Sequence, residues 1–254
     1  MKVYIILSCI LLLLILAVFI SGIVQTNWVD YINLLRNDEF LSAVVFTFKS
    51  ATVATIIAFL LGVPIGFFLS RFGGTVQKIC DTIFDIPIVI PPLIVGVLFL
   101  SLFNNALIPF LNTFIFNIYG AIVVQSFIAL PFTIKLSKAA FDSIPPLYEN
   151  LAMTLGAHYF RAIYDTTFKI AFPGVFSGII LAFLRCFGEF GATLIVGGGI
   201  PGKTENIPIN IYINMASGEF EYALAASIIT IIFASIGLFV IRFIVQQNSI
   251  SKIN

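Results

Sequence analysis

Long runs without a charged residue are the feature that most constrains this chain. Ser50 to Ser70 contains 21 uncharged residues, Ile86 to Ile134 contains 49 and Tyr222 to Ile241 contains 20. A hydrocarbon core of about 30 Å is crossed by about 20 apolar residues in a helix, because lipid offers no hydrogen bonds to an open backbone. The runs therefore predict an all-α integral membrane protein. Six spans are predicted, at about residues 3–24, 46–70, 86–103, 117–137, 173–196 and 222–242.

The composition of the 254 residues excludes several other classes of protein. Hydrophobic residues make up 60% of the chain and charged residues 10%, whereas a soluble domain has about 45–50% and about 25%. The net charge of +1 provides no basic surface for nucleic acid. Three scattered cysteines and one histidine, His158, predict neither a metal site nor a disulfide framework. We expect residues 1–254 to form a single transmembrane domain.

The first apolar segment, residues 3–24, has two interpretations. A signal peptide has an apolar core of about 7–15 residues followed by a small-residue cleavage site. This segment is longer, and no such site follows it. An uncleaved first helix is therefore predicted.

Basic residues are distributed unevenly between the predicted loops. With the N-terminus in the cytoplasm, three of them fall outside: Arg36, Lys49 and Lys203. Nine fall inside: Lys2, Arg71, Lys78, Lys135, Lys138, Arg161, Lys169, Arg242 and Lys252. An excess of lysine and arginine marks cytoplasmic loops. The pattern predicts a multi-pass protein of the cell membrane with both termini in the cytoplasm.

The longest predicted cytoplasmic segment, residues 138–172, is interpreted as containing an amphipathic helix. Ser143–Pro146 supplies a capping residue and prolines near a first turn, and Glu149 then lies near the positive end of the helix dipole. Gly156 is expected inside the helix, where glycine costs about 1 kcal/mol relative to alanine. The helix either packs on its own bundle or docks a cytoplasmic partner.

The segment Gly197–Thr204 matches the pattern of a phosphate-binding loop. Such a loop needs a buried strand before it and a helix directly after it. Here a predicted span precedes the segment, and Pro208 follows it closely. The distribution of charge also places the segment outside the cell. We therefore predict that it turns the backbone and does not bind nucleotide.

Arg185 and Glu189 are the only ionisable residues deep within a predicted span. Their spacing of four residues allows them to pair on one helix face, near the middle of the membrane. Gly188 and Gly191 flank the pair and permit close helix approach. The pair is either a packing ion pair or part of a path for an anion, to which Arg185 supplies positive charge.

Prolines interrupt the third predicted span. Pro87, Pro91 and Pro92 predict a broken or kinked helix, which either lines a path or bends the span. No Ser/His/Asp set, carboxylate pair or Cys/His cluster points to catalysis. The chain is therefore not expected to be an enzyme.

Two groups of motifs resemble known families. Glu149–Ala157, followed by Phe172–Gly174, resembles the EAA loop of ABC importer permeases. Arg185–Thr193, Ile200–Thr204 and Pro91–Gly96 are similar to stretches of molybdate-transport permeases. The second group is the more specific of the two.

The resemblance covers about residues 45–245 and implies the permease of an ABC importer for molybdate or tungstate. A permease for sulfate or another oxyanion is an alternative, as is an ion-coupled secondary transporter. The implied partners are a second copy of the chain, two cytoplasmic ATP-binding subunits, an extracytoplasmic oxyanion-binding protein and membrane lipid. No cofactor is expected in this chain, since ATP and Mg²⁺ would be bound by the partner subunit.

In that family the EAA loop forms a coupling helix that docks on the ATPase. The matching positions here are Glu149, Ala152, Leu155, Gly156 and Ala157. The positions implied for the translocation path or for helix packing are Arg185, Gly188, Glu189, Gly191, Pro91 and Pro92. The loop departs from the family pattern at Leu151, where the first alanine is expected, and at Lys169, where a proline is expected.

Overall fold

The computed structural model describes residues 2–250, and for residues 2, 3, 237 and 240–250 it describes the backbone alone. Lys252, which the orientation prediction places in the cytoplasm, lies outside the described residues. Helices make up the regular structure of residues 2–250, and no strand occurs there. The α-helices are α1 Lys2–Val24, α2 Trp28–Arg36, α3 Asp38–Arg71, α4 Thr75–Val89, α5 Pro92–Phe103, α6 Ile118–Asp142, α7 Leu147–Thr154, α8 Tyr159–Ile163, α9 Lys169–Phe187, α10 Gly191–Gly197, α11 Ile207–Ala216 and α12 Phe220–Ile250. A 3₁₀ turn lies at Pro109–Phe114 and a π-helical turn at Tyr164–Phe168.

Among the described residues, four helical stretches are long and apolar enough to cross a membrane. They are Tyr4–Val24, Asp38–Arg71, Ile118–Asp142 and Tyr159–Phe187. The pair α4 and α5 provides a fifth crossing if it counts as one bent span. The sixth predicted span lies within α12, whose apolar part Phe220–Ile236 is shorter. The chain is thus an integral membrane protein whose described residues contain four or five apolar spans, and the count of six stays a prediction.

The bundle core forms where α6 packs between α3 and α9. Small residues on α3 allow this approach. A Cβ atom added at Gly62 would lie 2.9 Å from Thr133 Cβ, and one added at Gly66 would lie 2.9 Å from Ser137 Cβ. Close packing of small residues is the usual basis of helix association in lipid, where apolar burial gives little driving force.

The break predicted within the third span, residues 86–103, is confirmed. α4 begins at Thr75 and ends at Val89, and α5 starts afresh at Pro92, bent by 104° from α4. Proline lacks the N–H needed inside a helix but fits its first turn. Pro91 and Pro92 therefore end one helix and begin the next, whereas Pro87 is accommodated within α4.

The predicted span over residues 173–196 is not one continuous helix. α9 ends at Phe187, and α10 begins at Gly191 after three non-helical residues. The carboxylate of Glu189 accepts the backbone N–H of Ala192 at 3.0 Å, which replaces a helical hydrogen bond at the start of α10. Arg185 consequently lies at the end of α9 and not in the middle of a long helix.

Candidate coupling segment and helix-break site

The segment over residues 138–172 contains a shorter helix than the sequence predicts, and Gly156 ends it. Leu155 caps α7, and Gly156 follows with φ +91°. The N–H of Gly156 donates to Met153 O and that of Ala157 to Ala152 O, both at 3.0 Å. This is the Schellman arrangement, in which glycine is favoured because its φ is positive. The placement of Gly156 inside a helix is therefore wrong, and its requirement is a backbone conformation.

Ser143 belongs to the preceding helix. Its hydroxyl donates to Ala140 O at 2.7 Å, and its backbone forms the C-cap of α6. Pro146 occupies the N-cap position of α7. The prediction that Ser143 caps the coupling helix is wrong, because α6 continues to Asp142 and the chain needs the Ser143–Pro146 segment to turn.

Glu149 lies on the buried side of α7. Its residue is 6% exposed, and its Oε1 accepts hydrogen bonds from Arg71 Nη2 at 2.7 Å, Arg71 Nε at 3.0 Å and Thr167 Oγ1 at 2.5 Å. A carboxylate with three donors is held firmly in one orientation. The side chain of Glu149 therefore faces its own bundle, and its docking role stays a prediction.

The outer surface of the same segment is apolar. Leu155 is 90% exposed, and the neighbouring exposed apolar side chains are Leu147, Tyr148, Leu151, Tyr159 and Phe160. Gly156 is exposed, whereas Ala152 and Ala157 are half-buried. A cluster of exposed apolar residues on a short helix is typical of a protein-interaction surface. We call the exposed residues of this cluster the docking surface: Leu147, Tyr148, Leu151, Leu155, Gly156, Tyr159 and Phe160.

The second site lies at the break between α9 and α10. Arg185 Nη1 donates to Glu189 Oε2 at 2.5 Å, so the predicted ion pair is confirmed. Glu189 is fully buried, whereas the Arg185 side chain keeps 28% exposure. The backbone carbonyl of Glu189 accepts the side-chain N–H of Asn206 at 2.6 Å. Both carboxylate oxygens and the backbone carbonyl of Glu189 thus have hydrogen-bond partners within the chain.

The two helix breaks meet in space. A Cβ atom added at Gly191 would lie 3.1 Å from Leu93 N, and one added at Gly96 would lie 2.8 Å from Ala192 Cα. The N-terminal halves of α5 and α10 therefore cross with their backbones in contact. The close approach expected of Gly191 is confirmed.

Gly188 does not share the role expected of it. The nearest atom to a Cβ added there would be Leu184 O at 3.5 Å, an ordinary contact one turn back along the chain. No other helix approaches it within 4 Å. Gly188 forms the C-cap of α9, where the chain leaves the helix.

Comparison with known proteins identifies the family. The sequence profile of the binding-protein-dependent transport system inner membrane component matches residues 62–253. The chain belongs to this family. YvgM of Bacillus subtilis, provisionally named as a molybdenum transport system permease protein, is 32% identical over 83% of this chain and 94% of its own length. The sulfate transport system permease protein CysT of Salmonella typhimurium is 28% identical over 89% of this chain and 83% of its own.

A solved structure shares the fold of this permease. The crystal structure is that of a bacterial alginate ABC transporter in complex with an alginate-pentasaccharide-bound periplasmic protein, and one of its chains aligns with a TM-score of 0.74. The alignment covers 94% of this chain and 90% of that one at 18% identity. The chain is accordingly a transport subunit and not an enzyme.

The glycine-rich loop of the permease is closed on itself. Thr204 is buried, its Oγ1 accepts the N–H of Ile200 at 3.1 Å, and its hydroxyl donates to Gly197 O at 2.6 Å. Helix α10 precedes the loop where a phosphate-binding loop has a strand. The hydroxyl that would bind a nucleotide's metal ion is used to hold the turn.

Three residues of these sites were not predicted as site residues from the sequence. Arg71 and Thr167 hold Glu149, and Asn206 joins the loop between α10 and α11 to the helix break. Asn206 also accepts the N–H of Ile209 as the N-cap of α11. An Asn before an Ile-Pro pair is a recognisable helix start, so this one signal was present in the sequence. The partners of Arg71 are 70 to 78 residues away in the chain, so no local sequence pattern could indicate them.

Proposed function

We propose that this chain is the permease subunit of an ATP-driven importer for molybdate, with tungstate as a dianion of the same shape. The observation that carries the proposal is the exposed apolar docking surface on a short cytoplasmic helix, held from beneath by a buried ion pair. Such a surface is what a permease needs if its energy comes from a separate ATPase. The identity of 32% with YvgM favours molybdate over sulfate, for which CysT gives 28%.

The coupling role is proposed for the docking surface around Leu155. A partner subunit that binds ATP and Mg²⁺ would receive this surface in a groove, as an amphipathic helix is received by its target. Ala152 and Ala157 add small side chains beside Leu155, and Gly156 sets the turn that exposes it. ATP-driven closure of two such partners would draw the docking helices together and change which side of the membrane the path opens to.

The assembly proposed for transport has two copies of the chain, two ATP-binding subunits and one extracytoplasmic oxyanion-binding protein. Each copy would act as a single permease domain over residues 1–254, with six spans, both termini in the cytoplasm and membrane lipid around it. The orientation places residues 138–172 inside and Lys203 outside, in agreement with the positive-inside rule.

Arg185 and Glu189 are proposed to have different roles. Glu189 is fully buried and bonded at its carboxylate and its carbonyl, so it holds the helix break together. Arg185 is partly exposed, and only its Nη1 bonds to Glu189. Its remaining donors are those that suit a tetrahedral oxyanion. We assign Glu189 to packing and Arg185 to the path.

The test is reconstitution of the full complex in lipid vesicles, with ATP hydrolysis measured in the presence of each oxyanion and the binding protein. Stimulation by molybdate and tungstate supports the proposal, and stimulation by sulfate alone would favour the sulfate alternative. Uptake that needs an ion gradient and no ATPase would point to a secondary transporter.

A pair of variants isolates the docking surface. Leu155→Ser should release the ATPase subunit in a pull-down, because the variant removes the most exposed apolar side chain of the surface. Leu107→Ser is the matched control, since Leu107 is 88% exposed on the opposite side of the bundle. Equal ATPase retention in both variants would contradict the docking assignment.

A further inference from the structure

Arg71, the last residue of α3, connects more elements than any other side chain in the described part of the cytoplasmic face. Besides its two bonds to Glu149, its Nη1 donates to Phe141 O at 3.2 Å and its Nη2 donates to Ile144 O at 3.3 Å. Phe141 lies in the last turn of α6 and Ile144 in the turn after it, and Phe141 O also accepts the backbone N–H of Ile144 at 3.1 Å. One guanidinium therefore joins the ends of α3 and α6 to the helix that bears the docking surface.

The fourth element of this cluster is the π-helical turn that leads into α9. Thr167 lies in this turn with no exposed surface, and its hydroxyl donates to the same carboxylate oxygen of Glu149 that Arg71 binds. A π-turn inserts an extra residue into a helix and is frequent at functional sites. Here the turn directs Thr167 at Glu149, so that α9 is tied to α7 as well.

We propose that Arg71 is a positioning residue that couples movement of the docking helix α7 to α3, α6 and α9. The inference rests on the proposed function, since it assumes that α7 is where the ATPase acts. The Arg71 and Glu149 side chains are 12% and 8% exposed, so separating them would leave a buried charge without a partner, which is strongly unfavourable. A displacement of α7 by its partner therefore moves the adjoining ends of α3, α6 and α9 together with it.

The shape of the guanidinium matters to this role. Arginine presents a rigid planar fork of donors, and this fork reaches one carboxylate oxygen and two carbonyls at once. Lysine carries the same charge as a point on a flexible stem, so it cannot hold all three acceptors in fixed directions. A positive charge at position 71 is thus not sufficient to hold the three acceptors; the planar guanidinium is needed.

The other ion pair on the same segment differs in burial and serves as a control. Asp165 pairs with Lys169 at 2.6 Å and with Arg161 at 3.4 Å. The side chains of Lys169 and Arg161 are 57% and 80% exposed. Exposed pairs of this kind contribute little to stability and fix little in place.

The test uses the full complex in lipid vesicles and three measurements: ATPase subunit retained, ATP hydrolysed with and without the binding protein, and oxyanion taken up. Arg71→Gln should retain the ATPase subunit and hydrolyse ATP, but lose stimulation by the binding protein and lower uptake per ATP about tenfold, a usual size for a coupling between sites. Arg71→Lys should fall between this variant and the unaltered chain. Lys169→Gln should behave as the unaltered chain.

Each result separates the inference from the proposed function. Normal uptake per ATP in Arg71→Gln would overturn the inference, and so would loss of the ATPase subunit from that variant, because Arg71 would then shape the docking surface only. Failure of the unaltered chain to retain an ATPase subunit would overturn the proposed function itself. If Arg71→Gln does not insert into the membrane, Thr167→Val decides: it removes one donor to Glu149 at nearly constant volume and should lower uptake per ATP with the ATPase retained. Unchanged uptake per ATP in Thr167→Val would then overturn the inference.

Discussion

The side chain of Asn206 donates a 2.6 Å hydrogen bond to the backbone carbonyl of Glu189, which lies 17 residues earlier in the chain. The carbonyl is buried at the break between α9 and α10, where a continuous helix would have supplied its partner. Asn206 also caps α11 through its Oδ1. One amide thus satisfies two backbone groups and joins the loop between α10 and α11 to the helix break.

Asn206→Ala should therefore destabilise the protein more than loss of a helix cap does. Removing the cap costs about 1 kcal/mol, and a buried carbonyl left without a partner costs about 1–3 kcal/mol more. The melting temperature of the purified protein in detergent measures the effect. Asn33→Ala, at an exposed position of α2, is the control, and equal melting temperatures in the two variants would show that the bond contributes nothing.

Glu189→Gln should be strongly destabilising because it leaves Arg185 without its anionic partner. Breaking a buried ion pair from one side typically costs about 3–5 kcal/mol. The double variant Arg185→Gln/Glu189→Gln contains no uncompensated charge, so it should melt at a higher temperature than Glu189→Gln alone. Thermal melting of the two variants tests this order.

The same double variant separates the two interpretations of Arg185. If Arg185 serves the path, the repaired fold still lacks the positive group and takes up little oxyanion in vesicles. Normal uptake by a stable double variant would assign Arg185 to packing alone. Uptake by Arg185→Lys provides the comparison in which the charge is kept and the planar fork is lost.

Substitutions at Gly156 should separate backbone strain from contact with a partner. A left-handed conformation costs a residue with a Cβ about 1–2 kcal/mol, and asparagine tolerates it better than alanine. A Cβ added at Gly156 meets no atom of this chain within 4 Å. Within the isolated chain, Gly156→Ala and Gly156→Leu should therefore cost similar stability, and Gly156→Asn should cost less.

If the ATPase approaches Gly156 closely, the three variants should rank differently in ATPase binding than they do in stability. ATPase retention in a pull-down should then be near normal in Gly156→Asn, reduced in Gly156→Ala and nearly lost in Gly156→Leu, with membrane insertion unchanged in all three. Full retention in Gly156→Leu would remove Gly156 from the docking surface and leave it as a helix terminator.

Uncharged apolar runs were sufficient to predict the helices that cover residues 3–24, 46–70 and 117–137, since an apolar run of about 20 residues is typical of a membrane span. They failed where helices carry charge. α4 begins at Thr75, well before the uncharged run, and contains Lys78, Asp81 and Asp85; two of these pair with lysines of α6. Charges that are neutralised across helices do not interrupt a helix, although they interrupt an uncharged run.

The sites were predictable only where their partners are near in sequence. The spacing of Arg185 and Glu189 predicted their pair, and the prolines predicted the first helix break. The break after Phe187 depends on Glu189 and on Asn206, and the burial of Glu149 depends on a residue 78 positions away. Contacts between residues so far apart depend on how whole helices pack, as Arg71 at the end of α3 depends on the packing of α3 against α6, and no local pattern encodes that packing.

Glu205, in the loop that joins α10 to α11, should make stability depend on pH. Burial raises the pKa of its carboxyl, with the negative charge of Glu39 adding to the shift, while the bond from Asn210 opposes it. A raised pKa means that the folded protein holds this proton more tightly than the unfolded chain does. The stability contribution is therefore present at low pH, below the usual pKa of 4.5, and is lost as pH rises through the folded-state pKa.

Glu205→Gln should remove this dependence and raise the melting temperature at neutral pH. Asn210 Nδ2 donates to Glu205 Oε1 at 3.1 Å, whereas Glu205 Oε2 and Asn210 Oδ1 are both buried without a partner. A glutamine keeps the first bond and adds an N–H that can donate to Asn210 Oδ1, so it supplies what the neutral acid supplies at low pH. Melting curves of the two proteins from pH 4 to pH 8 should converge at the acidic end and diverge with rising pH. Parallel curves across that range would show that Glu205 titrates alike in the folded and unfolded chains.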